Sequence, residues 1–309
     1  MGGTVSHQPP VSTAASRRVS LWNDYISLTK PGIVRSNVLV AIMGYFIAAG
    51  LDGFSVWRVP LALGVGTALF VAGGCVFNNV YDRDADRQMD RTKMRVMVVG
   101  RIEPALALGY GALLSILGFV VLFWSVNFGV ACLGLMGCLI YVCVYTVLLK
   151  RRSVSNTWVG GVSGAIPPVM GVFAAPGSHW EIALSLFLLL FLWQPPHFFS
   201  LALCYLEDYQ KSCFRMLPTV RGIKPTVVQL RLWTGALVVA SLTPVFFAGA
   251  GLIYLLGAFF LGGGYLGLAL QPMVDRVLWA RRLFFASLVY LLGVLVVWLV
   301  DRLVDGNFL

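Results

Sequence analysis

The most informative segment of the chain places acidic residues at regular spacing where a long apolar stretch ends. Asn78, Asp82 and Asp86 recur every four residues, and Asp90 continues the series. In a helix these positions share one face, with about 6 Å of rise per step. Stacked carboxylates repel one another unless a cation lies among them, and Mg²⁺ takes one or two such acids with water and phosphate in its remaining positions. The spacing therefore predicts a site for magnesium and a phosphorylated ligand.

A structural interpretation of the same segment is also open. Asp84 falls off the shared face and, with Arg83 and Arg87, would form an ordinary solvated surface with salt bridges. However, acidic residues that begin directly at the end of an apolar span are costly unless they serve a site. This cost favours the metal-site interpretation.

Basic and aromatic residues accompany the acidic series. A diphosphate held by Mg²⁺ needs further positive charge, which Lys93 and Arg95 would supply, although anchoring of membrane loops explains part of the same charge. Further candidates for substrate binding lie where two later apolar stretches end: Tyr145, Lys150 and Arg151 at the end of the fourth, and Tyr205, Asp208 and Lys211 after the sixth. Acidic motifs at equivalent ends of two spans suggest the facing halves of one site.

Nine apolar stretches must position these residues. A span needs about 20 mostly apolar residues to cross roughly 30 Å of hydrocarbon, and the stretches that qualify are 33–50, 59–79, 104–124, 128–149, 157–175, 182–204, 232–249, 252–270 and 283–300. With 59% hydrophobic and 12% charged residues, the composition excludes a soluble enzyme or a disordered chain. We predict an all-α polytopic membrane protein, with one intramembrane domain at 21–309 after a disordered cytoplasmic tail at 1–20.

The distribution of basic residues predicts the orientation of the spans. Of 23 lysines and arginines, all but Arg58 and Arg302 fall on the side that holds the N-terminus and the long loops. The positive-inside rule makes this side cytoplasmic. The net charge of +10 is then explained without a nucleic-acid partner, and we expect the chemistry to lie at the cytoplasmic face.

The motifs resemble those of the UbiA superfamily of intramembrane prenyltransferases, and within it the branch that farnesylates haem. The similarity runs over about residues 22–300. It is carried by TKPG (29–32), NNVYDRDADRQMDRT (78–92), SGAIPPVMG (163–171), WQPPHF (193–198), DYQKS (208–212) with MLPTVRG (216–222), and WARRLF (279–284). One feature departs from the wider superfamily: Ser212 stands four residues after Asp208, which argues against a second metal ion held there by paired acids.

The resemblance implies nine helices around a central cavity that opens to the cytoplasm and to lipid. It implies transfer of a farnesyl group from farnesyl diphosphate to a vinyl group of haem B, with water added, to give haem O. Haem B is then a substrate, while Mg²⁺ is the cofactor. The implied roles are metal and diphosphate binding by Asn78, Asp82 and Asp86, with Asp208 opposite, and neutralisation of the leaving group by Lys93, Arg95 and Lys150. The short, weakly basic N-terminal segment and the length of 309 residues favour a bacterial inner membrane, and haem A synthase or terminal oxidase subunits are candidate partners.

The interiors of two spans contain proline pairs, Pro167-Pro168 and Pro195-Pro196. We expect each pair to break or kink its helix, because proline removes a backbone donor, and irregular backbone at that depth requires burial or a wet cavity. His197 follows the second pair and is the only histidine within a span. Two explanations stay open: an axial ligand or orienting group for haem iron, or a structural histidine bonded to a carbonyl that the prolines leave free.

Three other functions fit parts of the sequence. A transporter also has broken helices and polar groups in the membrane, but here the acids cluster at the ends of spans. A UbiA-type enzyme that prenylates an aromatic ring for quinone synthesis shares the first acidic motif. A non-catalytic assembly factor of a respiratory complex leaves the aspartates unexplained. Diphosphate release separates an enzyme from a carrier or assembly factor, and product mass separates the two prenylations.

Overall fold

The computed structural model describes residues 14–305, apart from Val56 and Ser178, and contains no strand in that part of the chain. Its α-helices are α1 (Ala14–Leu28), α2 (Pro31–Ala49), α3 (Arg58–Asp86), α4 (Pro104–Ser125), α5 (Phe128–Leu139), α6 (Asn156–Ala174), α7 (Trp180–Cys204), α8 (Leu206–Lys211), α9 (Leu217–Arg221), α10 (Ile223–Ala240), α11 (Thr243–Phe247), α12 (Leu252–Leu270) and α13 (Arg276–Asp305). A 3₁₀ helix follows α2 at Gly50–Ser55, and a π-helix at Ile140–Leu149 continues α5.

Nine helical segments in the described part are long and apolar enough to cross a membrane, which confirms the predicted count. They are Pro31–Gly53, Arg58–Asp86, Pro104–Ser125, Phe128–Leu149, Asn156–Ala174, Trp180–Cys204, Ile223–Phe247, Leu252–Leu270 and Arg276–Val304. The seventh and ninth begin well before the apolar runs at 232 and 283. Helical hydrogen bonding does not stop where hydrophobicity does, so their first turns carry the charged residues Lys224 and Arg276.

The predicted tail lies mostly outside the described residues, which begin at residue 14. Helix α1 starts at Ala14, within the stretch expected to be disordered, and continues to Leu28. It is joined to the body of the protein by an ion pair between Asp24 and Arg101, with 3.1 Å between the carboxylate and guanidinium atoms. The N-terminal part of the chain therefore includes a docked helix directly before the first span.

The proline pairs do not end their helices, so a break at either pair is wrong, while a kink there stays a prediction. Pro167-Pro168 lies inside α6 and Pro195-Pro196 inside α7. The first pair lies instead where α2 and α6 pack backbone against backbone: a Cβ atom on Gly44 would come within 2.3 Å of the Pro168 carbonyl oxygen. Small residues allow such close approach between membrane helices, and the tight packing holds the helix together through the prolines.

The core lies between α2, α6, α7 and α13, and the outward side chains are apolar. Tyr45, Phe199 and Trp298 are almost completely buried, whereas Trp124 on α4 is 75% exposed. Large exposed hydrophobic side chains on nearly every span are unfavourable in water and expected against lipid. The chain is thus a multi-pass membrane protein. We call the end of the bundle formed by 87–103, 150–155 and 205–222 the long-loop face.

Candidate active site at the long-loop face

The last turns of α3 carry polar side chains on one buried face. Asn78, Asp82 and Asp86 are each 1–2% exposed. Asn78 Nδ2 donates to Asp82 Oδ2 at 2.9 Å. The side chain of Asp84 is 71% exposed and contacts only its neighbour Arg83 among the ion pairs found in the described chain. Asn78, Asp82 and Asp86 therefore share one buried face of α3, as their spacing predicts, and Asp84 lies off that face.

Asp90 does not continue this series, and the extension to it is wrong. Helix α3 ends at Asp86, so Asp90 lies in the following loop. It is exposed and receives hydrogen bonds from Lys211 at 2.6 Å and Lys93 at 2.7 Å. The bond from Lys211, followed by that from Lys93, lowers the pKa of the Asp90 carboxyl to about 2. This triad joins two loops at the surface instead of adding a third acid to the buried face.

Each aspartate of this buried face is neutralised by a cation from a different segment. Lys150 Nζ donates a short hydrogen bond to Asp82 Oδ2, and Arg95 Nη1 donates to Asp86 Oδ2 at 2.5 Å. Burial alone would lower the pKa of Lys150, but Tyr145 and Asp82 beside it outweigh burial and raise that pKa. The ammonium group of Lys150 consequently stays charged beside Asp82.

The π-helix puts Lys150 and its neighbours on the site side. Lys150 N bonds to Tyr145 O at 2.9 Å, an i→i−5 bond. Lys150 follows Tyr141 by nine residues. In an α-helix nine residues make about two and a half turns, which would turn Lys150 away from Tyr141. In a π-helix, with roughly 4.4 residues per turn, they make only about two turns, so the two side chains lie on the same side. The rings of Tyr141 and Tyr145 stack at 5.6 Å, and fully buried Thr146 accepts from Asn78 Nδ2 at 3.1 Å.

Two members of this site were missed by the sequence analysis. Thr146 carried a weak signal, as a polar residue inside an apolar span. Lys30 precedes the first span in TKPG, and its Nζ donates to Asn78 Oδ1 at 2.5 Å. Burial lowers the pKa of Lys30 to about 8, and Arg95 and Lys150 act in the same direction. Within the described part of the chain it pairs with no carboxylate.

The second acidic motif holds a loop over the end of α3. Asp208 accepts the backbone N–H groups of Asp90 and Arg91, at 3.3 and 3.1 Å. The guanidinium of Arg91 lies 5.1 Å from the centre of the Tyr205 ring. Lys211 also binds Asp90. The structure therefore groups Tyr205, Asp208 and Lys211 with the loop that follows α3, and it places Lys93 at the surface of that loop.

Arg151 is also separate from the aspartate face. Its Nη2 donates to Tyr81 O at 2.5 Å, and its guanidinium lies 4.5 Å from the centre of the Tyr81 ring. The predicted residues that meet at the buried face are Asn78, Asp82, Asp86, Arg95, Lys150 and its neighbour Tyr145.

His197 lies in the interface between α7 and α13. Its ring stacks between Trp193 and Phe284, at centroid distances of 4.4 and 4.6 Å. Nδ1 is 2.8 Å from the hydroxyl of Ser287, and the residue is 9% exposed. The hydrogen-bond partner is thus a hydroxyl group, not a carbonyl freed by the prolines. A role toward haem stays a prediction.

The donors at the buried face fit a Mg²⁺ ion. Asp82 Oδ1 is buried and has no hydrogen-bond partner in the part of the chain described, so one carboxylate oxygen is available. No group of three or more His, Cys, Asp or Glu side chains that would suit a metal occurs among the described residues. Two aspartates and an amide are a small donor set, and Mg²⁺ characteristically uses one or two carboxylates together with substrate phosphate and water.

The nine spans and the buried aspartate face define a polytopic membrane protein with paired acidic and basic side chains buried at one end of its helical bundle. The chain belongs to the UbiA prenyltransferase family, whose pattern matches residues 37–289. It is 39% identical over 290 residues to the protoheme IX farnesyltransferase of Citrobacter koseri, covering 93% of this chain and 97% of that protein.

Two solved structures share the fold. A digeranylgeranylglyceryl phosphate synthase superposes with a TM-score of 0.75 at 18% identity, over 91% of this chain and 98% of its own. A UbiA homologue from Archaeoglobus fulgidus bound to GPP and Mg²⁺ superposes with a TM-score of 0.62 at 17% identity, over 89% and 99%. The predicted family and fold are confirmed.

Proposed function

We propose that this chain transfers a farnesyl group from farnesyl diphosphate to a vinyl group of haem B, with water added, to give haem O. The observation that carries this proposal is the buried face of Asn78, Asp82 and Asp86, with Lys150 and Arg95 at its acids. The 39% identity to a protoheme IX farnesyltransferase over nearly the whole chain supports the choice of substrates.

The reaction is an ionisation followed by an addition. The bond between C1 of the farnesyl group and the diphosphate oxygen breaks, and the vinyl electron pair forms a new bond to C1. Water then adds to the electron-deficient carbon of the former vinyl group and loses a proton. The farnesyl group is as apolar as lipid, and a site among membrane helices keeps bulk water from the allylic cation.

The residues of the buried face act on the leaving group. Asp82 and Asp86, with Asn78, would hold Mg²⁺, which when bound supplies charge stabilisation to diphosphate oxygens. Lys150 and Arg95 bind and neutralise the same oxygens as the C–O bond breaks, because fixed cations in a site of low polarity stabilise developing charge strongly. Tyr145 and Thr146 orient Lys150 and Asn78.

The direct test is the mass of the product. Purified protein in lipid nanodiscs, given farnesyl diphosphate, haem B and Mg²⁺, is expected to form haem O and release diphosphate in equal amounts. Chelation of Mg²⁺ should stop both. Diphosphate release with an aromatic acid but not with haem would instead identify the quinone-type prenylation, and no release with either acceptor would contradict an enzymatic function.

The proposed setting is a bacterial inner membrane with the long-loop face in the cytoplasm. The surrounding lipid bilayer is a proposed partner, and haem A synthase or terminal oxidase subunits are the proposed recipients of the product. The bias of 21 basic residues to this face supports the orientation.

Cysteine labelling tests this orientation. In a variant without native cysteines, Trp180→Cys at the opposite face is expected to react with an impermeant maleimide in cells with permeable outer membranes. Lys224→Cys should react only after the inner membrane is opened. Both positions are exposed. Labelling of both from the same side would contradict the topology.

A haem titration tests the proposed role of His197. His197→Ala is expected to weaken haem binding by about tenfold or more and to shift the Soret band, since an axial or orienting imidazole is lost. Ser287→Ala is the matched control, because it removes the hydrogen-bond partner but keeps the imidazole. Unchanged spectra and affinity in the folded His197 variant would remove this residue from the haem site.

A further inference from the structure

We propose that Arg281 binds a propionate group of the haem acceptor, which therefore lies along the groove between α7 and α13 with its iron toward His197. This inference rests on the proposed function and extends its site from the prenyl donor to the acceptor. It is drawn from the open edge of the His197 ring, from the place of Arg281 one helical turn away, and from the charges around Arg281.

The imidazole of His197 is open to a ligand only at its Nε2 edge. The rings of Trp193 and Phe284 cover its two faces, and the hydroxyl of Ser287 lies 2.8 Å from Nδ1. The hydrogen bonds found within the described part of the chain engage only Nδ1 of this ring. A neutral imidazole binds iron through the nitrogen that carries no proton. Haem iron would thus meet His197 at Nε2.

Arg281 lies one helical turn before Phe284, on the side of the long-loop face. A step of three residues rises about 4.5 Å along a helix and leaves the two side chains neighbours on its surface. The same end of α13 meets the end of α7, where Cys204 Sγ donates to Val277 O at 4.0 Å. The charge of Arg281 acts on that thiol. Arg281 therefore borders the groove between α7 and α13, between His197 and the long-loop face.

The guanidinium of Arg281 is available to a carboxylate that arrives with a ligand. Arg281 is exposed and belongs to no ion pair found among the described residues. The acids at this end of α13 are engaged elsewhere: Glu207 pairs with Arg276, and Asp275 Oδ1 accepts the backbone N–H of Leu278 at 2.9 Å. A planar guanidinium binds a carboxylate through two parallel N–H donors, which fixes the orientation of the ligand as well as its place.

Haem has the charges and the shape that this groove can hold. It is a flat apolar macrocycle with iron at its centre and two propionates at one edge, and its vinyl groups lie away from that edge. Helix α13 packs mainly on α7 and α12, whereas α3, which carries the aspartates, packs mainly on α4 and α2. A haem held by a propionate at α13 points its vinyl groups away from α13, as transfer from a donor held at α3 requires.

Arg281 has one competing explanation, the anchoring of the long-loop face to anionic lipid headgroups. Anchoring of this kind depends on the charge of the bilayer, and it does not distinguish haem from an uncharged ester of haem. A contact with a propionate depends on the charge of the ligand and persists in a bilayer without net charge. The two explanations therefore differ in how Arg281 variants bind charged and uncharged haem.

Equilibrium binding to the purified full chain in phosphatidylcholine nanodiscs tests the proposal without turnover. The probes are haem B and haem B dimethyl ester, in which both propionates are esterified and uncharged. The wild type is expected to bind haem B about tenfold or more tightly than the ester, because the ester loses a charge-assisted hydrogen bond. Arg281→Leu should weaken haem B binding by a similar factor and leave binding of the ester unchanged, and Arg281→Lys should keep part of the preference.

The matched control is Arg282→Leu, which removes the same charge at the next position. One residue turns a helix by about 100°, and Arg282 lies on the stripe that continues to Phe285 and Val289, which are 53% and 66% exposed. This variant should keep the wild-type preference for haem B. If Arg281→Leu does not fold, Arg281→Gln keeps a polar side chain without the charge and must show the same loss.

The spectrum of bound haem and the lipid composition decide between the remaining outcomes. The Soret maximum should be the same in Arg281→Leu and the wild type, because the imidazole of His197 is kept. A shifted maximum would overturn the inference, since Arg281 would then act through His197. Equal weakening of haem B and its ester would also overturn it, as would a loss seen only in nanodiscs that contain phosphatidylglycerol.

The wild type separates this inference from the proposed function. A folded wild-type chain that binds neither haem B nor its ester would overturn the proposed function. Wild-type binding of haem B with no effect at Arg281 would overturn only the present inference and leave the transfer reaction in place.

Discussion

Asp82→Asn is expected to lower haem O formation by about 10²-fold or more, since losing a charged metal ligand costs several kcal/mol of transition-state stabilisation. Asp82 is buried, and its Oδ1 is a buried carboxylate oxygen that has no hydrogen-bond partner in the described chain. Asparagine keeps the size of the side chain but removes its charge. The measurement is the turnover of purified protein, normalised to folded protein by thermal unfolding.

Asp84→Asn is the matched control for this substitution. Asp84 is in the same helical turn, but its side chain is 71% exposed and faces away from Asn78 and Asp86. We expect its activity to stay within a few-fold of wild type. Equal losses at the two positions would contradict the assignment of one buried face of α3 to the chemistry.

The helices and the aspartate face follow from local features of the sequence. Span length is set by bilayer thickness, and the spacing of Asn78, Asp82 and Asp86 is that of successive helical turns. Both properties are visible within a few tens of residues. The sequence does not show where α3 ends, and for this reason the extension of the series to Asp90 is wrong.

The remaining parts of the site depend on contacts between distant segments. The π-helix is defined by i→i−5 bonds, and its composition is that of any apolar span, so nothing local predicts the turn of Lys150 toward Asp82. Lys30 and Asn78 are 48 residues apart and meet only because α1 docks beside α3. The sequence predicts Asp208 opposite the buried face of α3, but it does not show that the oxygens of Asp208 accept backbone N–H groups from a loop that lies 117 residues earlier in the chain.

Lys150→Met is expected to cost about 3–5 kcal/mol of stability, because it leaves the Asp82 carboxylate buried without its partner. The lysine side chain is 14% exposed and that of Asp82 is 1% exposed, so solvent replaces little of the lost interaction. The melting temperature in detergent should fall by roughly 10 °C. Arg152→Met, an exposed neighbour, should change it little.

The double variant Asp82→Asn, Lys150→Met separates the structural role of this pair from its chemical role. Removing both charges takes away the uncompensated carboxylate, so the melting temperature should recover most of the way toward wild type. Activity should not recover, because the metal ligand and one cation for the leaving group are both lost. A double variant that regained turnover along with stability would show that the pair serves only the fold. Recovery of stability without turnover would show that this charge pair is needed for the chemistry as well as for the fold.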